Sequence, residues 1–389
     1  MYEMLETNIP HVIMKHSDAP SLQDDQLFPS RERVTRYLED YADEIRHLVH
    51  FQSQVIDVRK TSRDGQDSWR VQVKDLKSST VSEGAYDAVV VANGHYSVPN
   101  LPSINGIKDW SSANPGIIAH SKFYRRPDSY ADKKVIIVGN SASGVDIASQ
   151  IATVAKHPVL ISVRSNSPLA YEAAYKEDVP EIAEFLPPDQ GRRAVRFADG
   201  RIEEDVDAIL FATGYLYSFP FLSSLEPKLI STGERVQHLY KHLFYIPDST
   251  LAFIGLPSRV IPFRTFEGQA AVIARVWSDR LDLPPEQEMK KWEESLIGKQ
   301  GTGKVFHVLK FPEDFDYLNE LVDWAKRAKD PGRSKIPPRW NERETWTRKR
   351  SPAIKKAFAD RGEARHNVRT IEELGFDYDD WLGEQMKED

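Results

Sequence analysis

An α/β fold with parallel sheet is the architecture that this chain of 389 residues predicts. Three observations carry it. Four short apolar runs, 86–92, 135–138, 158–163 and 207–212, are rich in β-branched residues and read as buried strands. A helical pattern over 144–154 lies between the second and third runs, which makes a βαβ unit. Gly139 and Gly144 mark the turn between that second run and its helix.

Taken in order, 31–48 places Val34, Tyr37, Leu38, Tyr41 and Ile45 at helical spacing behind Pro29-Ser30. Residues 54–59 and 69–73 alternate like antiparallel strands, with the turn pair Asp64-Gly65 between them. The run YDAVVVA then predicts a buried strand, followed by VIIV, the helix, a strand ending in LISV, and DAILFA. No internal repeat is evident.

Composition excludes several function classes. With 29% charged and 40% hydrophobic residues the chain suits a soluble enzyme, and its net charge of −7 gives no reason to expect nucleic acid. No apolar run reaches the roughly 18 residues of a membrane span, and MYEMLETNIP lacks a secretion-signal layout. The expectation is a cytoplasmic protein without a transmembrane segment, with peripheral membrane association left open. The absence of cysteine rules out a thiolate metal site, a Cys nucleophile and a redox Cys pair, and with them the disulfide reductases. His238 and His242 have a ligand-like spacing, but no carboxylate completes a zinc pattern, so no metal is expected and packing is the reading for both. Residues 326–369 hold 15 Lys/Arg against 5 Asp/Glu, a net of +10, so the remainder carries −17 of the total of −7. Trp324, Trp340 and Trp346 interleave with that basic stretch. A nucleic-acid or membrane patch is one reading; the expectation is an extension packed on an acidic body.

The stretch VIIVGNSASGVDIA, 135–148, admits three readings. A dinucleotide loop needs a small residue for the turn, a second so that backbone N–H groups approach the pyrophosphate, and a third for helix–strand packing. Gly139, Ser141 and Gly144 supply them, with Asn140, Ala142 and Ser143 completing the turn. A nucleophile elbow is missed by one residue, and a plain strand–helix corner is the third reading. The next strand ends in Arg164, 25 residues after Gly139, where an acid would bind a ribose hydroxyl. A guanidinium there suits a 2′-phosphate, so the loop points to NADP(H) over NAD(H).

Several separated stretches together resemble the flavin-containing monooxygenase family, in particular its fungal thiol- and amine-oxidising type. MYEMLETNIP, FPSRERVTRYLEDYA and VVVANGHYSVPNLPSINGIKDW resemble the family's first flavin-binding part. The signature F-x-G-x-x-x-H-x-x-x-[YF] falls on Gly116, His120 and Tyr124, with Asn114 in place of Phe. The A-T-G-Y motif occupies Ala212 to Tyr215, and FIGLPSRVIPFRTFEGQAAVIA resembles the return segment. The likeness covers about residues 1–330.

The resemblance implies two Rossmann-like dinucleotide-binding domains, with the NADPH domain (122–205) inserted in an FAD domain (1–121 and 206–330), and a charged extension (331–389). It implies FAD and NADP as cofactors. NADPH would reduce FAD, O2 would add at the ring's C4a position, and one oxygen would pass to S or N of a small thiol, sulfide or amine. Baeyer–Villiger chemistry and self-association stay open. The cofactor carries such chemistry, so no acid–base triad is required. By the same resemblance Asn8 stands beside the flavin ring or nicotinamide, and His120 shapes a turn. Ala92, Asn93 and Gly94 approach the flavin through backbone atoms, Val55 meets the adenine, and Gln269 lies near the flavin. The family's first strand and its G-x-G-x-x-G loop for FAD would precede residue 1. The expectation is therefore an N-terminally incomplete FAD domain: either a piece of a longer protein, or a chain whose FAD site is crippled and which survives as a non-catalytic NADP(H)-binding remnant.

Overall fold

The computed structural model describes residues 1–19, 22, 24–63, 65–165, 173–187 and 192–388. They form two compact units, one of Met1–Asn8 with Tyr96–Tyr215 and one of Ile9–His95 with Leu216–Asp389. The first unit extends beyond the span 122–205 set out from sequence, because its sheet takes a strand from each side of that span, 118–120 and 208–211.

In the second unit, helix α1, Arg31–Ala42, starts at Ser30, whose hydroxyl accepts from the Arg33 N–H at 3.4 Å. It stops short of 48: Asp43–Leu48 is a 3-10 turn with no buried residue, so no core pulls it into the α-helix. Strands β1 (Ser53–Arg63), β2 (Gln66–Asp75) and β3 (Val81–Tyr86) form an antiparallel meander in that order. Gly65 in the first connection has φ +76°, as a tight turn requires, while Asp64 lies outside the described residues. Trp69 anchors the meander, buried, with its indole N–H donating to the Thr250 hydroxyl at 2.8 Å.

The run 86–92 is not one buried strand. β3 ends at Tyr86, and β4 spans only Val89–Val91. β4 stands last in its sheet, with Val91 buried and Val90 40% exposed, so only one face is covered.

The first unit holds β5 (Ile118–His120), β6 (Val135–Val138), helix α2 (Ala142–Ile151), β7 (Val159–Val163), β8 (Lys176–Pro180) and β9 (Ala208–Phe211). The five strands form one parallel sheet in the order β5-β9-β6-β7-β8. Both faces are covered. Val135 and Ile137 pack with Ile147 and Ile151 of α2, while Ile136 packs on the opposite side with Trp110 and Phe211. Burial on two faces is why these strands read as unbroken apolar runs.

The second unit resumes with β10 (Leu239–Tyr240), β11 (Phe244–Tyr245) and β12 (Leu251–Phe253), in the sheet order β10-β11-β12-β4. The β12–β4 pair is parallel, with Leu251 opposite Val89 and Phe253 opposite Val91. Helices α3 (Pro262–Trp277), α4 (Glu286–Gln300), α5 (Glu313–Lys326), α6 (Glu342–Ala359) and α7 (Tyr378–Glu388) follow. Among the described residues no helix is long and apolar enough to cross a membrane.

The basic C-terminal stretch is part of this unit's core. Trp324, Trp340 and Trp346 are each at most 7% exposed, so they are packing residues and offer no stacking platform. The cations pair with acids: Arg343 with Asp379, Arg339 with Asp323, and Lys335 with Asp18 and Glu267. Arg348 meets Asp314 at 2.7 Å, and Asp314 is only 3% exposed. Burial pushes the Asp314 carboxyl up, and Arg348 pulls it back. Removing the guanidinium leaves a buried acid without its cation, so Arg348→Met is expected to cost about 3 kcal/mol. A urea midpoint unchanged from wild type would show that the pair does not hold α6 on α5.

Candidate cofactor sites

The glycine turn between β6 and α2 is closed by backbone contacts that leave no room for side chains at two points. Gly139 has φ +109°, and a Cβ there would stand 2.8 Å from the Ala212 carbonyl oxygen of the neighbouring strand. A Cβ on Gly144 would stand 2.0 Å from the Gly139 carbonyl oxygen. The first glycine therefore makes the turn, and the second lets the helix seat against it. Ser141 between them has φ −82° and ψ −172°, ordinary extended backbone, which is why a serine can stand where the usual pattern carries glycine. It is exposed, and its side chain caps no helix N–H, so the first turn of α2 keeps its amides available. No acidic residue occupies that turn. A pyrophosphate fits this arrangement: small residues, exposed N–H groups and the positive end of the helix dipole.

The turn is tied to the next strand. Gly139 N–H donates to Ser162 O at 2.9 Å, and the Asn140 side-chain amide donates to Ser165 O at 2.9 Å. Arg164 therefore leaves β7 beside the turn. Its side chain is 83% exposed and pairs with Glu181 at 3.0 Å. Gly139 to Gly144 and Arg164 are thus brought together in one unit.

Asn8 is exposed at the end of the segment Met1–Asn8, which belongs to the same unit. That segment is held by Tyr2, whose hydroxyl donates to Asp146 on α2 and whose ring meets Tyr124 edge-on at 5.4 Å. Burial and the Asp146 carboxylate push the Tyr2 hydroxyl up, so it stays a donor. Tyr124, the last residue of the signature, donates to the Gln150 side chain at 3.0 Å.

His120 is buried at the end of β5 and works as a staple. Its Nδ1 accepts from the Lys122 N–H at 3.1 Å, so Nε2 carries the proton and donates to Gly214 O at 3.1 Å. Burial lowers its pKa, which keeps it neutral. Gly214 O also accepts from the Asn100 N–H at 2.9 Å, and Gly214 has φ +77°. The A-T-G-Y motif is therefore a left-handed strand exit pinned from two sides.

The remaining expected residues lie in the second unit. Val55 is 39% exposed on β1, where the register with β2 shifts between Val55 and Asp57. Ala92, Asn93 and Gly94 follow β4 and are exposed, and Gly94 has φ +69° with open space where a Cβ would lie. Exposed small residues at the carboxyl end of a parallel strand suit the close approach of a flavin nucleotide. Gln269 has no exposed surface. Its Oε1 accepts from the Gly255 N–H at 3.0 Å and its Nε2 donates to the Tyr317 hydroxyl at 3.0 Å. Gln269 thus fixes the position of Gly255.

His238 and His242 do not share a helix face. They flank β10 with φ +60° and +56°, and His242 points inward to the buried His307, Nδ1 to Nδ1, at 2.9 Å. Sequence reasoning also passed over His95, Tyr217 and Gly255, which meet His307 and Gln269 in the core. The available sign was the second strand–glycine sequence, LAFIG, matching VVVANGH.

A family model described as flavin-binding monooxygenase-like matches residues 1–179 and 189–326. The flavin-containing monooxygenase FMO GS-OX-like 2 of Arabidopsis thaliana is 36% identical over 343 residues, which is 83% of this chain and 71% of that protein. A thiol-specific monooxygenase of Saccharomyces cerevisiae is 37% identical over 298 residues, 73% of this chain and 66% of its own. Among solved structures, the S-allyl-L-cysteine S-oxygenase from Allium sativum is similar with a TM-score of 0.78 at 30% identity, covering 96% of this chain and 82% of that one.

Proposed function

Because the chain belongs to the flavin-binding monooxygenase-like family, whose members are FAD- and NADPH-dependent monooxygenases, we propose that it oxygenates sulfur or nitrogen in small soft nucleophiles. Sulfur is the first choice, since relatives are named a thiol-specific monooxygenase and an S-oxygenase. Bound FAD, reduced by NADPH, supplies the activation of O2. The residues of this chain bind, orient and exclude water.

In this reading Tyr96–Tyr215 takes NADPH, and Ile9–His95 with the return segment takes FAD. Gly139, Asn140, Ser141, Ala142, Ser143 and Gly144 cradle the NADPH pyrophosphate, and Arg164 meets the 2′-phosphate. Ala92, Asn93 and Gly94 lie against FAD, Val55 lies near its adenine, and Asn8 hydrogen-bonds a flavin or nicotinamide group. The observation that carries the reading is the Gly139–Gly144 contact, a backbone turn too close for side chains at those two points, with Ser141 and Ser143 exposed between them.

The reading is tested on the purified chain with FAD and NADPH in air, offering a thiol, a thioether, a tertiary amine and a cyclic ketone. Substrate-dependent NADPH oxidation with an S- or N-oxide product is expected. A lactone from the ketone as the main product would replace the reading with Baeyer–Villiger chemistry. A chain that takes up FAD and NADPH but yields no oxygenated product would sink it.

Arg164 gives a sharper test of the coenzyme assignment. Arg164→Ala removes a charge-assisted contact, so kcat/KM for NADPH is expected to fall by about 10- to 100-fold with that for NADH nearly unchanged. Glu181→Gln should act oppositely by releasing the guanidinium from its present partner. Equal losses with both coenzymes would remove the 2′-phosphate role.

A further inference from the structure

Past the carboxyl ends of β4 and β12, the chain builds a rim of backbone held from behind by buried side chains. Ile254 N–H donates to Val91 O at 2.9 Å, so the parallel ladder continues one residue, with Ile254 beside Ala92, and Asn93 and Gly255 leave the sheet side by side. Gly255 has φ +85° and is met at both of its backbone polar groups. Its N–H donates to Gln269 Oε1 at 3.0 Å, and the His95 ring faces its carbonyl. One residue on, the Leu256 carbonyl accepts from the Tyr217 hydroxyl at 2.6 Å. The His95 and Tyr217 rings lie 4.8 Å apart.

These side chains come from distant points of the sequence, yet they converge on two consecutive residues, Gly255 and Leu256. They are braced in turn. Tyr217 meets the buried His307 ring at 5.1 Å, and Gln269 passes through the Tyr317 hydroxyl to Lys241 O at 2.8 Å. A loop that merely reversed the chain would leave such groups to solvent. Fixing backbone N–H and C=O directions from the core is what a preorganised binding rim needs.

We propose that His95, Tyr217 and Gln269 form a clamp that presets the Ala92–Gly94 and Gly255–Leu256 backbone for FAD, with His95 as a positioning residue. This rests on the placement of FAD at that rim. His95 directly follows Gly94, so its ring fixes the segment that meets the cofactor by holding the adjoining loop. The ring acts as a neutral donor, since burial lowers its pKa.

The test measures FAD affinity by quenching of flavin fluorescence on the full chain, with NADPH affinity measured in parallel. His95→Phe keeps an aromatic ring and removes the donor, while Tyr217→Phe removes only a hydroxyl. Each is expected to raise the FAD Kd by about tenfold, with the NADPH Kd unchanged and the visible flavin spectrum altered. His95→Asn, which retains an N–H donor, should recover most of the affinity. FAD binding by His95→Phe within about twofold of wild type would overturn the clamp, as would His95→Asn as weak as His95→Phe. Should His95→Phe lose NADPH binding too, as a misfolded chain would, Tyr217→Phe decides by the same criterion. Wild type that takes up no FAD would sink the FAD placement itself, and the clamp with it.

Discussion

Gly144→Ala is expected to abolish the NADPH binding proposed for this turn and to cost the fold about 3 kcal/mol or more. The added methyl would stand 2.0 Å from the Gly139 carbonyl oxygen and 2.8 Å from its carbonyl carbon. Both are backbone atoms of a turn already held by the Gly139 N–H bond to Ser162 O, so no rotamer change relieves the clash. Either α2 lifts off β6, which exposes Ile147 and Ile151 from the core they share with Val135 and Ile137, or the turn opens and its amides lose their aim. The φ of Gly144 is not in the left-handed region, so the penalty is steric alone. Gly200→Ala is the control: Gly200 has φ +90° but open space around it, and a loss of only about 1 kcal/mol is expected. NADPH fluorescence titration and urea unfolding of both variants read the difference. Gly144→Ala binding NADPH within a few-fold of wild type would remove the turn from the coenzyme site.

That turn was legible because its glycine spacing is local, although the carbonyl that crowds Gly139 comes from Ala212. β6 likewise matched its sequence reading, Val135–Val138, because two faces are covered and no polar residue interrupts it. Where burial is one-sided the reading overreached. YDAVVVA suggested a single buried strand, yet only Val89–Val91 pairs, and Val90 faces outward. The helix expected to reach 48 stops at Ala42, since Ile45 and Leu48 are 55% and 66% exposed and find nothing to pack on. The parallel sheet's outer strand, Ile118–His120, was invisible as a strand because its pairing with Ala208–Phe211 is made by residues nearly a hundred positions away. Long-range pairing hid the rim proposed for FAD as well. His95, Tyr217, Gly255 and Gln269 become one structure only after the sheet forms. His242 packs as its sequence reading expected, but its partner, His307, lies 65 positions away and could not be read locally.

The His242–His307 pair makes the second unit acid-labile between about pH 6.5 and 4. Val236 N–H donates to His307 Nε2 at 3.0 Å, so the His307 proton sits on Nδ1. It faces His242 Nδ1 at 2.9 Å, which must then accept. One proton satisfies the contact, and a second would set two N–H groups, and a charge, against each other in a site closed by Trp292, Phe306 and Tyr317. Burial pushes His242 down to about 3 and His307 well below its usual value. The unfolded chain takes up protons on both below about pH 6.5 while the folded one does not, so stability falls as pH falls. Each ring that stays neutral in the folded state removes up to roughly 1.4 kcal/mol per pH unit below about pH 6.5. The carboxylates held low by Lys or Arg partners, Glu203 and Asp248 among them, lose their contribution only as pH drops below about 4, so they are silent at pH 5 to 6.5. His11, His16, His95 and His120 are lowered in the same direction and add to the slope. The urea midpoint followed from pH 7 to pH 4.5 reads the total, and the double variant His242→Phe with His307→Gln should flatten its fall with pH. Ring proton resonances of His242 and His307 that titrate near pH 6 in the folded protein would refute the buried neutral pair.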